Sequence, residues 1–102
     1  MSDSQQFFCY VIYSKSIDKY YIGMTSESAD LRLKKHNEGT YGTHYTSQTK
    51  DWVLSLEMPF ANASLARKAE LYLKKMKSRR FIEKIINDPV EYLKLIEKIK
   101  SI

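Results

Sequence analysis

Cysteine is nearly absent from this chain of 102 residues, which contains Cys9 alone. A single cysteine excludes an internal disulfide, and the chain has no Cys/His cluster with the spacing of a zinc site. Glycine is also scarce, with three residues, and there is neither a phosphate-cradling glycine loop nor a Gly-x-Ser-x-Gly elbow. Cys9 lies in an apolar segment without a basic neighbour, so we expect a reduced core residue in a cytoplasmic protein rather than a nucleophile.

Long hydrophobic runs are missing as well. The longest uncharged apolar stretch, residues 7–13, is far too short to cross a bilayer, and no basic-then-apolar signal peptide precedes it. Hydrophobic residues make up 43% of the chain and charged residues 28%, which is typical of a globular protein. We therefore expect a single domain over residues 1–102, with its own core and without membrane contact.

Basic charge is concentrated in the C-terminal part of the chain. Residues 63–102 carry 11 lysines and arginines against 5 acidic residues, a net charge of +6, whereas residues 1–62 carry 6 against 7, a net charge of −1. Such a cluster can neutralise a nucleic-acid backbone, although Lys-rich helices are often only a solvated surface. Composition alone leaves these two interpretations evenly balanced. The candidate nucleic-acid-binding residues of this cluster are Lys74, Lys75, Lys77, Arg79 and Arg80.

The hydrophobic pattern predicts an α+β domain, in which helices flank a three-stranded antiparallel sheet in the order β-β-α-β-α-α-α. Residues 7–14 and 19–24 are predicted to form a hairpin, whose first strand has apolar residues on both faces and is therefore central. A helix over residues 29–37 follows, capped by Ser26 or Ser28. A third strand over residues 52–58 is expected to end at Pro59.

Three helices are predicted after the third strand. Asn62 can cap a helix that runs to about Lys77, a short helix covers residues 79–86, and Asp88 caps the last helix. The apolar positions of the last helix are expected either to cap the core or to form a dimer contact. The expected oligomeric state is therefore a monomer or a weak dimer. The predicted buried stripe of the first of these helices comprises Leu65, Ala69, Tyr72, Leu73 and Met76.

A dispersed set of residues could carry chemistry, and each member also has an ordinary explanation. Tyrosines commonly lie half-buried in strands, and an arginine is usually a surface charge. A protonated histidine near a helix C-terminus can interact favourably with the helix dipole, and a glutamate can pair with a lysine four residues later. Taken singly, each residue fits the structural explanation better. The residues are Tyr10, Tyr21, Arg32, His36, Tyr45 and Glu70.

The order of these residues resembles the GIY-YIG nuclease family. Residues 8–10 occupy the position of the first name motif and keep only its tyrosine, whereas residues 21–23, Tyr-Ile-Gly, match the second motif literally. Arg32 and His36 resemble the helix motif of the family, residues 45–46 a tyrosine-threonine element, and the segment around Glu70 the metal-site helix. The similarity covers about residues 7–80 and leaves a helical extension over about 81–102. It most resembles small stand-alone members, which are often likened to the nuclease domain of the bacterial excision-repair C subunit.

This resemblance implies an endonuclease that hydrolyses phosphodiester bonds in DNA, in repair or recombination, with one divalent metal, Mg²⁺ or Mn²⁺. Glu70 would bind the metal and Arg32 the phosphate. Tyr10 would be the general base, with Tyr21 and His36 orienting or relaying the proton. His36 is chemically the easier base, because the pKa of an unperturbed tyrosine is ~10. The choice between Tyr10 and His36 stays open at this point.

Further residues and alternatives complete the sequence-based expectation. Gly23 would let the backbone pass close to a neighbouring group without a side chain in the way. RNA is an alternative substrate to DNA. The competing functions are a non-catalytic nucleic-acid-binding module that uses the basic helical face and, more remotely, a domain that binds an acidic protein partner. Nucleic-acid contacts outside the basic cluster are expected from Lys34, Lys35 and Tyr45.

Overall fold

The computed structural model describes residues 6–38 and 49–101, which form an α+β fold with the predicted class and element order. The strands are β1 (Phe7–Ser14), β2 (Lys19–Thr25) and β3 (Trp52–Phe60). The helices are α1 (Ala29–Glu38), α2 (Ala63–Met76), α3 (Arg79–Asn87) and α4 (Pro89–Ser101). None of the helices in these two ranges combines the length and the apolar character that spanning a bilayer requires.

Strand β1 is the centre of the sheet, as the sequence pattern predicts. The strand order is β2-β1-β3, and both neighbours pair with β1 in antiparallel fashion. Cys9 and Val11 pack on one face with the large cluster formed by α2, α3 and α4. Tyr10 and Ile12 pack on the other face with a smaller cluster that includes Trp52 and the start of α1. The expectation that Cys9 is a core residue is confirmed, because the side chain is fully buried.

Strand β3 extends past its predicted end, so the expectation that Pro59 terminates it is wrong. Pro59 lies within the strand, opposite Phe8 of β1, and the strand continues to Phe60. Proline cannot donate a backbone hydrogen bond, which confines it to positions where none is needed. Pro59 is exposed and β3 is an edge strand, which is where sheets tolerate proline.

The helices begin where a short polar side chain accepts a backbone N–H of the first turn. At α1 this residue is Ser28, whose Oγ accepts from Leu31 N at 3.2 Å, which decides between the two serines that the sequence offered. The predicted caps of α2 and α4 are confirmed, and α3 has an analogous one. Those caps are Asn62, Asp88 and Ser78, respectively.

The buried face of α2 differs from the predicted stripe at one end. Met76 is 42% exposed, whereas Ala66, which the prediction omitted, is fully buried together with Ala69. Met76 is the last residue of α2, and Lys77 takes a left-handed conformation with φ 49° that turns the chain toward α3. The C-terminal end of α2 therefore presents side chains to solvent, next to the edge of the sheet.

Helix α4 caps the core from the C-terminal side. Ile99 is fully buried and Leu95 almost so, whereas Leu93 is 61% exposed. The last two helices are therefore part of the main hydrophobic cluster, to which Ile82 and Ile85 of α3 also belong.

Candidate active site

Tyr10 of β1 and Gly23 of β2 form the floor of the site. They are directly opposite each other in the antiparallel pair. A Cβ atom built on Gly23 would lie 2.5 Å from Cζ of Tyr10 and nearer still to the phenolic oxygen. Only glycine leaves room for the tyrosine ring to extend across β2, so the two residues depend on each other.

Gly23→Ala is expected to destabilise the protein by ~1–3 kcal/mol, because the added methyl group overlaps a buried ring that must move. The displaced ring would also carry the Tyr10 hydroxyl away from its partners and lower any activity that needs it. Urea unfolding measures the first effect. In a Tyr10→Ala background the cost of the second substitution should fall to a few tenths of a kcal/mol; a cost that persists there would show that the ring is not the cause.

His36 lies directly against both motif tyrosines. Its Nε2 is 2.9 Å from the Tyr10 hydroxyl, and its ring meets the Tyr21 ring edge-on with a centroid distance of 5.2 Å. The end of α1 that carries His36 is anchored by Asn37, whose amide donates to the Trp52 carbonyl at 2.9 Å and accepts from the Trp52 N–H at 2.8 Å. This pair of hydrogen bonds to the backbone of β3 fixes α1 and, through it, the imidazole.

Burial sets the protonation states of this pair. The pKa of Tyr10 is raised to about 12, chiefly by burial, although the charge of Arg32 and a hydrogen bond from it act in the opposite direction. The pKa of His36 is lowered to about 4 by burial and by the nearby Arg32 cation. At neutral pH the proton therefore resides on Tyr10 and the imidazole is neutral. The interpretation of His36 as a charged group at the helix C-terminus is wrong, because the side chain is buried.

The free energy of unfolding should fall as the pH is lowered from about 6.5 to about 4, by as much as ~3 kcal/mol. In this window the unfolded chain protonates His36 while the folded chain keeps it neutral, so protons favour unfolding. An NMR titration of the imidazole gives the folded pKa directly, with His36→Gln to assign the signal. A folded pKa near 6.5, or the same pH dependence in His36→Gln, would contradict this assignment.

Arg32 lies one turn before His36 on α1, and an acidic residue that the sequence analysis missed holds it. Glu27 Oε2 lies 3.4 Å from Arg32 Nη1 and 3.0 Å from Lys35 Nζ. Glu27 precedes the helix, so it has no i,i+4 spacing that would signal the contact in the sequence. Its carboxylate keeps two cations of the same helix face close together, beside the Tyr10–His36 pair.

Helix α2, which packs on the face of the sheet opposite to Tyr10, carries Glu70. Its carboxylate lies 2.9 Å from Lys74 Nζ, which is the i,i+4 pair that the spacing predicts, and its side chain is only 14% exposed. Lys74 Nζ is also 5.9 Å from the centroid of the Tyr21 ring. The Glu70 charge reaches β1, since it adds to burial in raising the pKa of the Cys9 thiol and contributes to the raised pKa of Tyr10. Glu70 is thus linked to Tyr21 indirectly, through Lys74, and to Tyr10 by its electrostatic field.

The predicted nucleic-acid-binding residues flank this cluster. Lys34 and Lys35 lie on α1, the former exposed and the latter half-exposed. The remaining basic residues lie at the end of α2 and the start of α3, where Lys74 pairs with Glu70 and Arg79 bonds to Asp18. Tyr45, also predicted to bind nucleic acid, lies outside the described residues. The exposed members of the C-terminal group are Lys74, Lys75, Lys77, Arg79 and Arg80.

The four predicted catalytic residues, Tyr10, Tyr21, Arg32 and His36, lie together on the α1 side of the sheet, whereas the predicted metal ligand Glu70 is connected to Tyr21 only through Lys74. These residues come from β1, β2, α1 and α2. In a comparison with protein families, the model described as "GIY-YIG catalytic domain" matches residues 6–84. No curated protein and no solved structure matches the chain.

Proposed function

The chain belongs to the GIY-YIG family, which makes it a nuclease domain, and from this premise we propose that it is a metal-dependent endonuclease acting on DNA. The observation that supports the proposal is the grouping of Tyr10, Tyr21, Arg32 and His36, to which Lys74 connects Glu70. Hydrolysis of a phosphodiester needs a group that binds the phosphoryl oxygens, a proton acceptor for the attacking water and help for the leaving oxygen. The cluster contains a candidate for each task.

Glu70 is the residue that would hold a divalent metal. Among the described residues no three His, Cys, Asp or Glu side chains gather as a metal cluster, so the donor set offered here is this single carboxylate. That fits Mg²⁺ or Mn²⁺, since Mg²⁺ keeps several waters and takes one or two carboxylates together with substrate phosphate. A cation is already favoured at this position, because Lys74 Nζ lies 2.9 Å from the carboxylate. When bound, the metal supplies Lewis-acid stabilisation of the phosphoryl group and of the leaving oxygen.

Arg32 would bind the scissile phosphate. Its guanidinium presents planar paired donors that match two phosphoryl oxygens, which a lysine ammonium cannot do. The side chain is 24% exposed and already contacts a carboxylate oxygen of Glu27 at 3.4 Å. The Glu27 carboxylate therefore positions the guanidinium before the substrate binds. It does so through the same kind of contact, with an anionic oxygen, that we expect the phosphate to make.

Tyr10 and His36 would handle the proton of the attacking water. We assign the first transfer to Tyr10, which accepts the water proton while its own proton passes to His36 Nε2 across the 2.9 Å contact. The low pKa of His36 opposes this transfer in the free protein, owing to burial and then to Arg32. A phosphate bound to Arg32 offsets the second of these causes, which makes His36 a better acceptor only when substrate is present. Tyr21 orients the imidazole through the edge contact of the rings.

Incubation with labelled duplex, nicked, single-stranded and branched DNA tests the proposal. With Mg²⁺ or Mn²⁺ at least one of these substrates should be cut, and a chelator should stop the reaction. The same panel made of RNA decides which polymer is the substrate. Salt-sensitive binding with no cut on any substrate under any of these conditions would replace the nuclease with a nucleic-acid-binding module.

A further inference from the structure

A cleft near the candidate active site suggests what kind of DNA the protein binds. The cleft holds about 300 Å³ between the start of β2, the end of α2 and the start of α3. We infer that it takes one unpaired nucleotide next to the cleaved bond, so that the protein prefers DNA with an unpaired segment to continuous duplex. This inference rests on the proposed function, since it extends the same substrate past the reacting phosphate.

The floor of the cleft is apolar. Ile22, Leu73 and Ile82 line it, and each is at most 9% exposed. The Tyr20 ring forms part of the lining and is held in place, because Arg79 lies 5.4 Å from its centroid and its hydroxyl donates to Glu83. A nucleobase is a flat group with apolar faces that packs well on such surfaces, and stacking on aromatic side chains is the usual way in which proteins bind unpaired bases.

The rim of the cleft is cationic. Lys19, Lys74, Lys77 and Arg79 line it, against a single acidic residue, Asp18. Asp18 lies 2.6 Å from Arg79 and balances that charge, and Glu70 balances Lys74, which leaves an excess of positive charge from Lys19 and Lys77. An apolar floor with a cationic rim complements a nucleotide, whose base is uncharged and whose phosphate is an anion.

The apolar floor of the cleft lies on the α2 face of the sheet and Tyr10 on the other face, and the cleft is connected to the candidate active site around β2 by Lys74. This residue lines the cleft, contacts the Glu70 carboxylate at 2.9 Å and lies 5.9 Å from the Tyr21 ring. A strand bound at Glu70 can therefore reach the cleft past Lys74.

The size of the cleft is suited to one unpaired base. About 300 Å³ is at the lower end of ligand pockets, which matches a single small group. Extracting a paired base costs a few kcal/mol in lost pairing and stacking, whereas a base in a flap, gap or single-stranded arm is already free. The cleft thus favours DNA in which the strand next to the cleaved bond is unpaired.

Fluorescence anisotropy in the presence of a chelator tests this inference without cleavage. The probes are a duplex with an unpaired arm and the same molecule with that arm annealed to its complement. The annealed form has more phosphates, so charge alone favours it. We expect the parent protein to bind the unpaired form at least about fivefold more tightly, the effect of one stacked base. Equal affinity, or tighter binding of the annealed form, would overturn the inference.

A pair of matched variants shows whether the cleft is responsible. Lys19→Glu with Lys77→Glu reverses two charges on the rim, whereas Lys75→Glu with Arg80→Glu makes the same change of net charge at exposed positions outside the cleft lining. The first pair should abolish the preference for the unpaired arm. The second should weaken binding of both DNAs alike and keep their ratio; a rim variant that keeps the preference would place the unpaired nucleotide elsewhere.

The outcomes also separate this inference from the proposed function. A parent protein that prefers the unpaired arm but cuts no DNA would support the cleft and reject the nuclease. A protein that cuts DNA but binds both probes equally would support the nuclease and reject the cleft. A fluorescent base analogue in the arm gives an independent signal, since stacking against the cleft should change its emission with the parent and not with the rim variant.

Discussion

Glu70→Gln is expected to lower the cleavage rate about a thousandfold or more while leaving the fold and DNA binding intact. The substitution keeps the size of the side chain but removes the charge that we propose holds the metal. Lewis-acid stabilisation contributes several kcal/mol to a transition state, and each ~1.4 kcal/mol is a factor of ten in rate. The free energy of unfolding should change by less than ~1 kcal/mol, because the substitution removes only one partly exposed i,i+4 ion pair, with Lys74.

Glu91→Gln is the matched control for this prediction. Glu91 of α4 is also a partly exposed glutamate that pairs with lysines, Lys84 and Lys94, and it is 21% exposed against 14% for Glu70. It should cut DNA at the parent rate. Single-turnover cleavage measures the rate, anisotropy with a chelator measures binding, and urea unfolding measures stability. A Glu70→Gln protein that cuts as fast as the Glu91→Gln protein would remove Glu70 from the metal site.

Local pattern was enough to predict where Tyr10 and Gly23 lie in the sheet, although only the family resemblance marked them as site residues. Alternation of side chains in β1 puts Tyr10 on one face and Cys9 on the other, and a polar turn between two apolar segments specifies the hairpin. Once the hairpin is known, Tyr10 and Gly23 must be close. Their exact opposition depends on the register of the pair, which in turn follows from the turn at residues 15–18.

The approach of α2 to the hairpin could not be predicted from local pattern. Helical periodicity identifies the buried face of α2, yet it does not say which strand that face covers or which edge its exposed residues reach. The family resemblance, and not the periodicity, pointed to Glu70. The error at Met76 has the same origin. The periodic pattern includes Met76, but this residue is the last one of the helix and the core does not extend that far.

Two features of the site depend on tertiary contacts that the sequence does not signal. The burial of His36 reverses the state expected of a histidine at a helix end, because solvation by water is lost there and the neutral form is favoured. The contact of Glu27 with Arg32 and Lys35 arises where the chain enters α1, outside any helical spacing. Both features set the charges in the candidate site, which explains why the resemblance could suggest His36 and Arg32 but not their electrostatic surroundings.

Arg32→Lys is expected to slow cleavage by about a hundredfold with little change in DNA affinity. The lysine keeps the positive charge, so long-range attraction to the phosphate persists, but it lacks the paired donors that match the phosphoryl oxygens. Removing one well-placed donor from a site that stabilises developing charge typically costs ~10²–10³ in rate. Arg67→Lys makes the same change at an exposed position of α2, outside the predicted binding residues, and should leave the rate unaltered.

The charge of Arg32 can be separated from its geometry through His36. Because the Arg32 cation helps burial to lower the pKa of His36, Arg32→Gln should raise that pKa toward its ordinary value, whereas Arg32→Lys should leave it low. An NMR titration of both variants reports the electrostatic effect independently of cleavage. If Arg32→Lys cuts DNA slowly while His36 keeps its low pKa, the loss arises from the missing guanidinium fork and not from an altered proton acceptor. If Arg32→Lys cuts DNA at the parent rate, the paired guanidinium donors are not needed for the reaction and Arg32 acts only as a positive charge.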